Sequence, residues 1–483
     1  MMNIKRILQQ GGFLMISTLV FAGIAVLLIS TAVGGAHSVL KYSQSVHERE
    51  VAFQIAEAGV EYYRWHLAHH KTDYQDGTGA AGPYHHIFYD KAGTRIGTFS
   101  LTITPPPSGS TIVTVLSEGR VDSNPSVVRA VRVRLAVPSL AKYAVAANDV
   151  MRFGEGTEVF GPIHSNKGIR FDGLAHNIVT SALTTYDDPD HTGSNEYAVH
   201  THLKIPITDG LYPGSVIAES PPAALAVRTD VFQAGRQISV PAIDFAGITT
   251  DLATMKTEAQ ASGRYLAPSS EFGYEIVLKT NDTYDLYRVK NLVSTPNWCN
   301  NSSWSIRNNN GRTSLGNFPF PANGIIFVED HVWVRGQIAT ARLTIASGKF
   351  PDQVSQRTNI IVNSDLLYSN YNGQDVIALV AQNDVLAGMV SADTLRIDAA
   401  LIAQNGKVGR LHYNNFCSPY DDRSELTLYG MIGTNVRYGF AFTDGSGYAI
   451  RNIIYDGHLL YGPPPLFPLT SDQYQVISWE EVL

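Results

Sequence analysis

Asp187, Asp188, Asp190, His191 and Glu196 fall within ten residues of one another, in a stretch also holding Thr185, Thr192, Ser194 and Asn195. Oxygen-rich loops of this kind hold calcium in many surface proteins. The spacing is not that of an EF-hand, which needs Gly after three alternating acidic or amide positions, so Asp187, Asp188 and Asp190 are candidate calcium ligands or a solvated acidic loop. His200 and His202, two apart, share one face of a strand, but no third ligand for zinc is evident beside them. His69, His70, His85 and His86 read as surface residues near a helix end. No G-x-S-x-G elbow, H-E-x-x-H or phosphate-binding loop occurs. Asp384, Asp393 and Asp398 are the acids a β-solenoid polysaccharide lyase or hydrolase would use, but their spacings of nine and five residues match no coil repeat. Trp298, Trp304, Tyr368 and Tyr371 are the aromatic residues with which a surface adhesin or glycan-binding module would stack on sugars, and core packing is their plain alternative. Cys299 and Cys417 are the only cysteines; they exclude a disulfide scaffold and a thiolate metal cluster but permit one bridge or two free thiols. The chain is thus expected to be no enzyme and to need no cofactor.

Bulk composition narrows the class. Only 16% of the 483 residues are charged, against the usual quarter, and the formal net charge is -7 without a basic block. Nucleic acid is therefore not an expected partner, since phosphate binding needs clustered Lys and Arg. Residues 13–40 contain no Asp, Glu, Lys or Arg, long enough for a helix to span hydrocarbon. Lys5 and Arg6 precede this run, and the positive-inside rule leaves them in the cytoplasm and the rest outside. A secretory signal would be shorter and end at a small-residue cut. Here the apolar run passes into a helical pattern, with Phe53, Ala56, Val60, Tyr63 and Leu67 recurring every three or four residues.

Gly11-Gly12 directly before Phe13-Leu14-Met15-Ile16, the apolar helix, and then Ala52-Phe53-Gln54-Ile55-Ala56-Glu57-Ala58-Gly59 occur in that order. Over residues 5–68 the chain resembles the type IV pilin and pseudopilin superfamily, most closely the PilX-type minor pilins and the K-type pseudopilins. The resemblance implies that a prepilin peptidase cuts between Gly12 and Phe13 and methylates Phe13, the residue type usually found first; a cut after Gly11 is the alternative. It also implies an inner-membrane anchor before assembly, a cell-surface or pilus destination afterwards, and other pilins as partners through the N-terminal helix, where Ala56, Glu57 and Ala58 sit. One departure matters: most pilins carry Glu at the fifth mature position, here Ser17, and the K-type pseudopilins that also lack it sit at the filament tip. A minor, tip-located or assembly-priming subunit is the expectation; any surface ligand and the filament system are left open.

The expected fold class is α+β. A leader (1–12) precedes a long helix (13–69), transmembrane in its first half and amphipathic in its second, and a small β-sheet (70–138). In the run Val131-Arg132-Val133-Arg134-Leu135 the apolar residues should face the helix and the arginines water. Beyond it, Leu379-Val380-Ala381-Gln382-Asn383 recurs as Leu401-Ile402-Ala403-Gln404-Asn405, with Ile360-Ile361-Val362-Asn363 and Leu343-Thr344-Ile345-Ala346 upstream. A spacing near 20 predicts a parallel β-solenoid with asparagines stacked at its turns, a β-sandwich being the alternative. Its first coils are placed at 143–182 and its main coils at 324–440. An inserted α/β region (183–323), with a helix over 244–262 and a hairpin over 273–289, separates them, and a C-terminal cap (441–483) follows.

Overall fold

A computed structural model describes residues 4–107, 109–190, 193, 195–204, 219–245, 248–469 and 473–482. The chain is a long N-terminal helix followed by mainly β structure with many parallel strands, and it divides into two compact units.

The first unit is Met1–Pro105, Val113–Ala136 and Tyr474–Leu483. Its helix α1 runs over Ile4–His69, so the described part of the segment expected as a leader is helical too. Strands β1 (Tyr84–Tyr89), β2 (Arg95–Thr104), β3 (Val113–Val121) and β4 (Asn124–Ala136) form an antiparallel sheet in that order. A fifth strand, Gln475–Val482, pairs with β4, Ala136 lying opposite Gln475. Val131, Val133 and Leu135 face the helix and are fully buried. Arg132 turns outward, as alternation requires, and pairs across the strand with Glu480 at 2.8 Å.

The second unit is Pro106–Ile112 and Val137–Gln473. Its spine is a parallel ladder that passes through Ile325–Val328, Arg342–Ser347, Val376–Ala381, Thr394–Ala403 and Asp422–Thr434. Parallel strands covered on both faces read as unbroken apolar runs, and all six residues of Val376–Ala381 are buried. Leu379 lies opposite Leu401, the 22-residue shift seen in the sequence. The period is not fixed, however: Ile345 pairs with Leu379 and Leu401 with Ile432, shifts of 34 and 31. Ile360–Ile361 belongs to a second ladder, between Val332–Ile338 and Val385–Ala387, so the spacing near 20 averaged two interleaved ladders. Asparagines stack at the turns: Asn166 donates to Asn148 at 2.8 Å and Asn148 to Asn435 at 3.0 Å.

Two expected segments differ. Within the expected inserted α/β region (183–323), Val199–His200, Arg236–Gln237, Arg264–Leu266 and Gly273–Leu278 pair in parallel with neighbouring strands and so belong to the β structure around them. The expected cap contributes Gly447–Tyr455 inside the ladder, between Asp422–Thr434 and Thr157–Phe160. Helix α2 covers Ile248–Ala261, not 244–262. The backbone of Ile243 is instead extended, giving its N–H and accepting at its carbonyl from the Asn166 carboxamide, both at 2.8 Å. Leu252, Met255 and Ala259 of α2 cover Phe327, Ala346 and Val380 on the ladder's outer face. The hairpin of Gly273–Leu278 with Thr283–Val289 forms as read.

Candidate functional site

Among the described residues, two places stand out beyond ordinary core packing: the N-terminal helix and a buried His/carboxylate cluster. The first half of α1 is bare, with Leu19, Phe21 and Leu27 each about two-thirds exposed. It is long and apolar enough to cross a membrane. Ser17 donates its hydroxyl to the Leu14 carbonyl at 2.9 Å, and Thr18, Thr31 and Ser38 return theirs to the preceding turn in the same way. A hydroxyl satisfied by its own helix adds little cost in hydrocarbon. The backbone of Gly12 and Phe13 is helical, and the Phe13 side chain lies outside the described residues.

The second half of α1 is buried on the antiparallel sheet through Ala52, Ile55, Ala56, Val60, Tyr63 and Leu67. Phe53, expected on this face, sits at its edge, against the Trp479 ring with centroids 5.9 Å apart. The centre of the contact is made of small residues. A Cβ on Gly119 of β3 would lie 2.0 Å from the Ala52 carbonyl oxygen and 2.5 Å from the Ala56 nitrogen. One on Gly59 would lie 2.3 Å from the Ser117 hydroxyl. Ala52, Ala56 and Gly59 therefore let the helix backbone rest on the sheet, while Glu57 and Ala58 are half-buried beside that stripe. Beyond the helix end Asp73 meets His66 at 3.0 Å, and the Gln75 and Gly77 amides cap it. The Gln75 amide, foremost, holds its carboxyl below the usual carboxylate range. His86, expected at the surface, is half-buried and bonded to Asp76 at 2.7 Å.

The candidate calcium residues Asp187, Asp188 and Asp190 point different ways. Asp187 is exposed, Asp190 pairs with Arg437 and, at 3.6 Å, with Arg152, and His191 lies outside the described residues. The Arg437 hydrogen bond, foremost, depresses the Asp190 pKa. Asp188 instead turns inward. Thr185–Tyr186 and Glu196–Tyr197 form a short antiparallel pair with Tyr186 opposite Glu196, and Val199–His200 then runs parallel to Ile169–Phe171. This brings Asp188, Glu196, His200 and His202 together, one ligand atom of each within 4.8 Å of every other. His200 is fully buried, and burial pushes its imidazole pKa down. Its Nε2 lies 3.0 Å from Glu196 Oε2 and 3.6 Å from Asp188 Oδ2, while His202 Nε2 lies 2.9 Å from Glu196 Oε1. His200 and His202 were legible as a strand pair; their carboxylate partners were not, because a turn of unread length brings them round.

Among the described residues the other candidates serve structural roles. Cys299 and Cys417 form a disulfide that packs with Met389 and Tyr413. Asp384 accepts the Lys407 amide, Asp393 accepts from Ser424, and Asp398 holds Arg396 and Tyr371, three separate structural duties. Trp298 is exposed and Tyr371 half so, but Tyr368 is buried and Trp304 packs on Trp333. A cleft of about 390 Å³ near Trp333 is lined in part by Glu275, whose carboxylate is already paired with Arg312 and Arg335.

No family model matches the chain, and no curated protein sequence does. Among solved structures, the crystal structure of the competence-associated pilin ComZ from Thermus thermophilus is similar over 90% of this chain and 98% of that one, at 12% identity and a TM-score of 0.28, an overlap too low to carry an argument.

Proposed function

We propose that this chain is a minor subunit, at the tip or in the priming complex, of a type IV pilus or type II secretion-like filament, and that its work is structural rather than catalytic. The observation that carries this is the division of α1. One 66-residue helix leaves its apolar first half bare and buries its second half on a small antiparallel sheet. A bare apolar helix of this length needs lipid or other helices around it, and a filament core built of neighbouring pilin helices supplies the second. In this reading prepilin peptidase removes residues 1–12, Phe13 is methylated, and the chain waits in the inner membrane with all that follows the span outside the cytoplasm. The parallel ladder is read as a β-solenoid carried on that anchor. Ser17, already satisfied by Leu14, offers no carboxylate to the amine of a subunit beyond it, which suits a cap. Mass spectrometry of the N-terminus in sheared filaments tests the reading: a methylated Phe13 is expected, and a start beyond residue 30 refutes it.

A further inference from the structure

We propose that Asp188, Glu196, His200 and His202 bind one divalent transition-metal ion of the zinc class as a structural clip, a property independent of any role in a filament. The argument begins with a proton. His200 Nδ1 lies 3.1 Å from the Tyr197 carbonyl oxygen, which can only accept, so Nδ1 carries the hydrogen, and in the neutral ring that burial favours Nε2 presents a lone pair. That lone pair faces Glu196 Oε2 at 3.0 Å and Asp188 Oδ2 at 3.6 Å, two further acceptors. Among the described residues neither His200 Nε2 nor Asp188 Oδ2 has a hydrogen-bond partner, although the side chains are 0% and 3% exposed. Buried acceptors turned toward one another repel unless a cation lies between them.

Charge points the same way. Arg170 sits 3.7 Å from Asp188 but is committed to Asp172 at 2.6 Å, so Asp188 shares that guanidinium with a second carboxylate, and a dication in the cluster would complete its charge balance. Two imidazoles with two carboxylates suit zinc and its first-row neighbours, whereas calcium takes oxygen alone. Ligand bonds of about 2.0–2.2 Å set tetrahedral ligands about 3.3–3.6 Å apart, so the present spread of up to 4.8 Å must close by about 1.2–1.5 Å at its widest, a movement shared among four side chains. The Nδ1–H to carbonyl bond that orients His200 is the outer contact metal-bound histidines use. Four protein ligands with little solvent access leave no open position, so the site holds structure rather than performing chemistry. What it holds is the Thr185–Tyr186 and Glu196–Tyr197 pair against the strand Val199–His200.

The test uses untagged full-length chain in detergent, stripped with EDTA, dialysed and titrated with zinc chloride. One zinc per chain is expected by elemental analysis, with a dissociation constant of about 1 μM or tighter by calorimetry. Cobalt should give the visible bands of a four-coordinate nitrogen and oxygen shell. His202→Asn, at a position whose side chain is 22% exposed, should weaken zinc at least about tenfold while the circular dichroism stays unchanged. Wild-type chain that is folded but takes up no zinc overturns the proposal, as does calcium binding in its place. So does a Glu196→Gln, His202→Asn double variant that binds zinc as wild type does. Wild-type stoichiometry and the cobalt spectrum decide the matter even if the variants fail to fold.

Discussion

Gly119→Ala is the substitution on which the reading of α1 can be tried most sharply, because two physical rules give it opposite signs. Glycine inside a strand loses more backbone entropy than alanine, so the exchange taken alone should stabilise by roughly 0.5–1 kcal/mol. The contact says otherwise. The added Cβ would stand 2.0 Å from the Ala52 carbonyl oxygen, and ordinary contact begins at 3.4 Å, so the helix must retreat by 1.4 Å along that line. The obstacle is helix backbone, which no rotamer change can clear. Retreat loosens Ile55, Ala56 and Val60 against Phe99, Val115 and Val133. Overpacking that shifts backbone costs about 1–3 kcal/mol, and the upper part of that range applies where the whole helix must move. After the entropy gain, a net loss of about 2 kcal/mol is expected. Hydrogen–deuterium exchange of the detergent-solubilised chain, read by mass spectrometry on peptides from β2 and β3, should then quicken by roughly 30-fold, since 1.4 kcal/mol is a factor of ten. Gly154→Ala, where nothing lies within 4 Å of the new atom, is the control and should leave those peptides alone. Exchange unchanged within twofold, or slowed, in Gly119→Ala would refute the claim that the small-residue stripe is a backbone-to-backbone seat.

Removing the bridge with Cys299→Ser and Cys417→Ser together frees a 118-residue loop; chain entropy sets the loss near 5 kcal/mol at most. Calorimetry should show the second unit melting earlier and the first unmoved. His331 accepts the Asn359 amide at Nδ1 and is held neutral, burial chiefly lowering its pKa to about 4. Its folded value lies below the ordinary 6.5, so the unfolded chain binds the proton first: stability is whole above pH 6.5 and drains as pH falls toward 4, by up to about 3 kcal/mol. Urea midpoints at pH 7.5 and 4.5 should differ by less in His331→Gln, and equal differences count against the assignment. In cells, antibody to residues 143–469 should mark filament ends, and Ser17→Glu should bring no gain in filament number; regular labelling along the shaft rejects a tip position.

The sequence was most legible where a rule is local. Charge-free residues 13–40 follow from the length a helix needs to span hydrocarbon, and the recurrence of Ala56, Val60, Tyr63 and Leu67 and the alternation of Val131, Val133 and Leu135 with arginines follow from periods of 3.6 and 2. The parallel ladder was half legible. Leu379 and Leu401 carry the same run because they are register partners, but Ile360–Ile361 belongs to another ladder, and apolar spacing alone cannot tell two interleaved ladders from one. The buried His/carboxylate cluster was visible only in halves, as acids in a loop and histidines on a strand. What unites them is the pairing of Tyr186 with Glu196 across a loop, a non-local fact. Helix α2 begins later than its apolar period because the Asn166 carboxamide claims the Ile243 backbone from 77 residues away.

The order of strands in the ladder answers a problem set by chain connectivity. Residues 137–473 leave the antiparallel sheet after Ala136 and return before Gln475, and those two residues are register partners. A ladder built strand by strand in chain order would carry its last strand far from its first, and a long return segment would have to close the gap. Here the chain begins in the middle. Val145–Ala147 pairs with Asp422–Thr434, Ile163–Ser165 and Val179–Ser181 follow outward, and Arg236–Gln237 ends that side. The segment bearing α2 then crosses to the opposite end, where Arg264–Leu266 pairs with Ile325–Val328, and the ladder returns inward to Gly447–Tyr455. That last strand lies directly beside Thr157–Phe160, Ile453 opposite Val159. The first and last turns of the ladder are thus neighbours, as an insertion between two paired residues demands. Helix α2 seats part of that crossing on the outer face, where its Leu252, Met255 and Ala259 join the cluster of Phe327 and Val380.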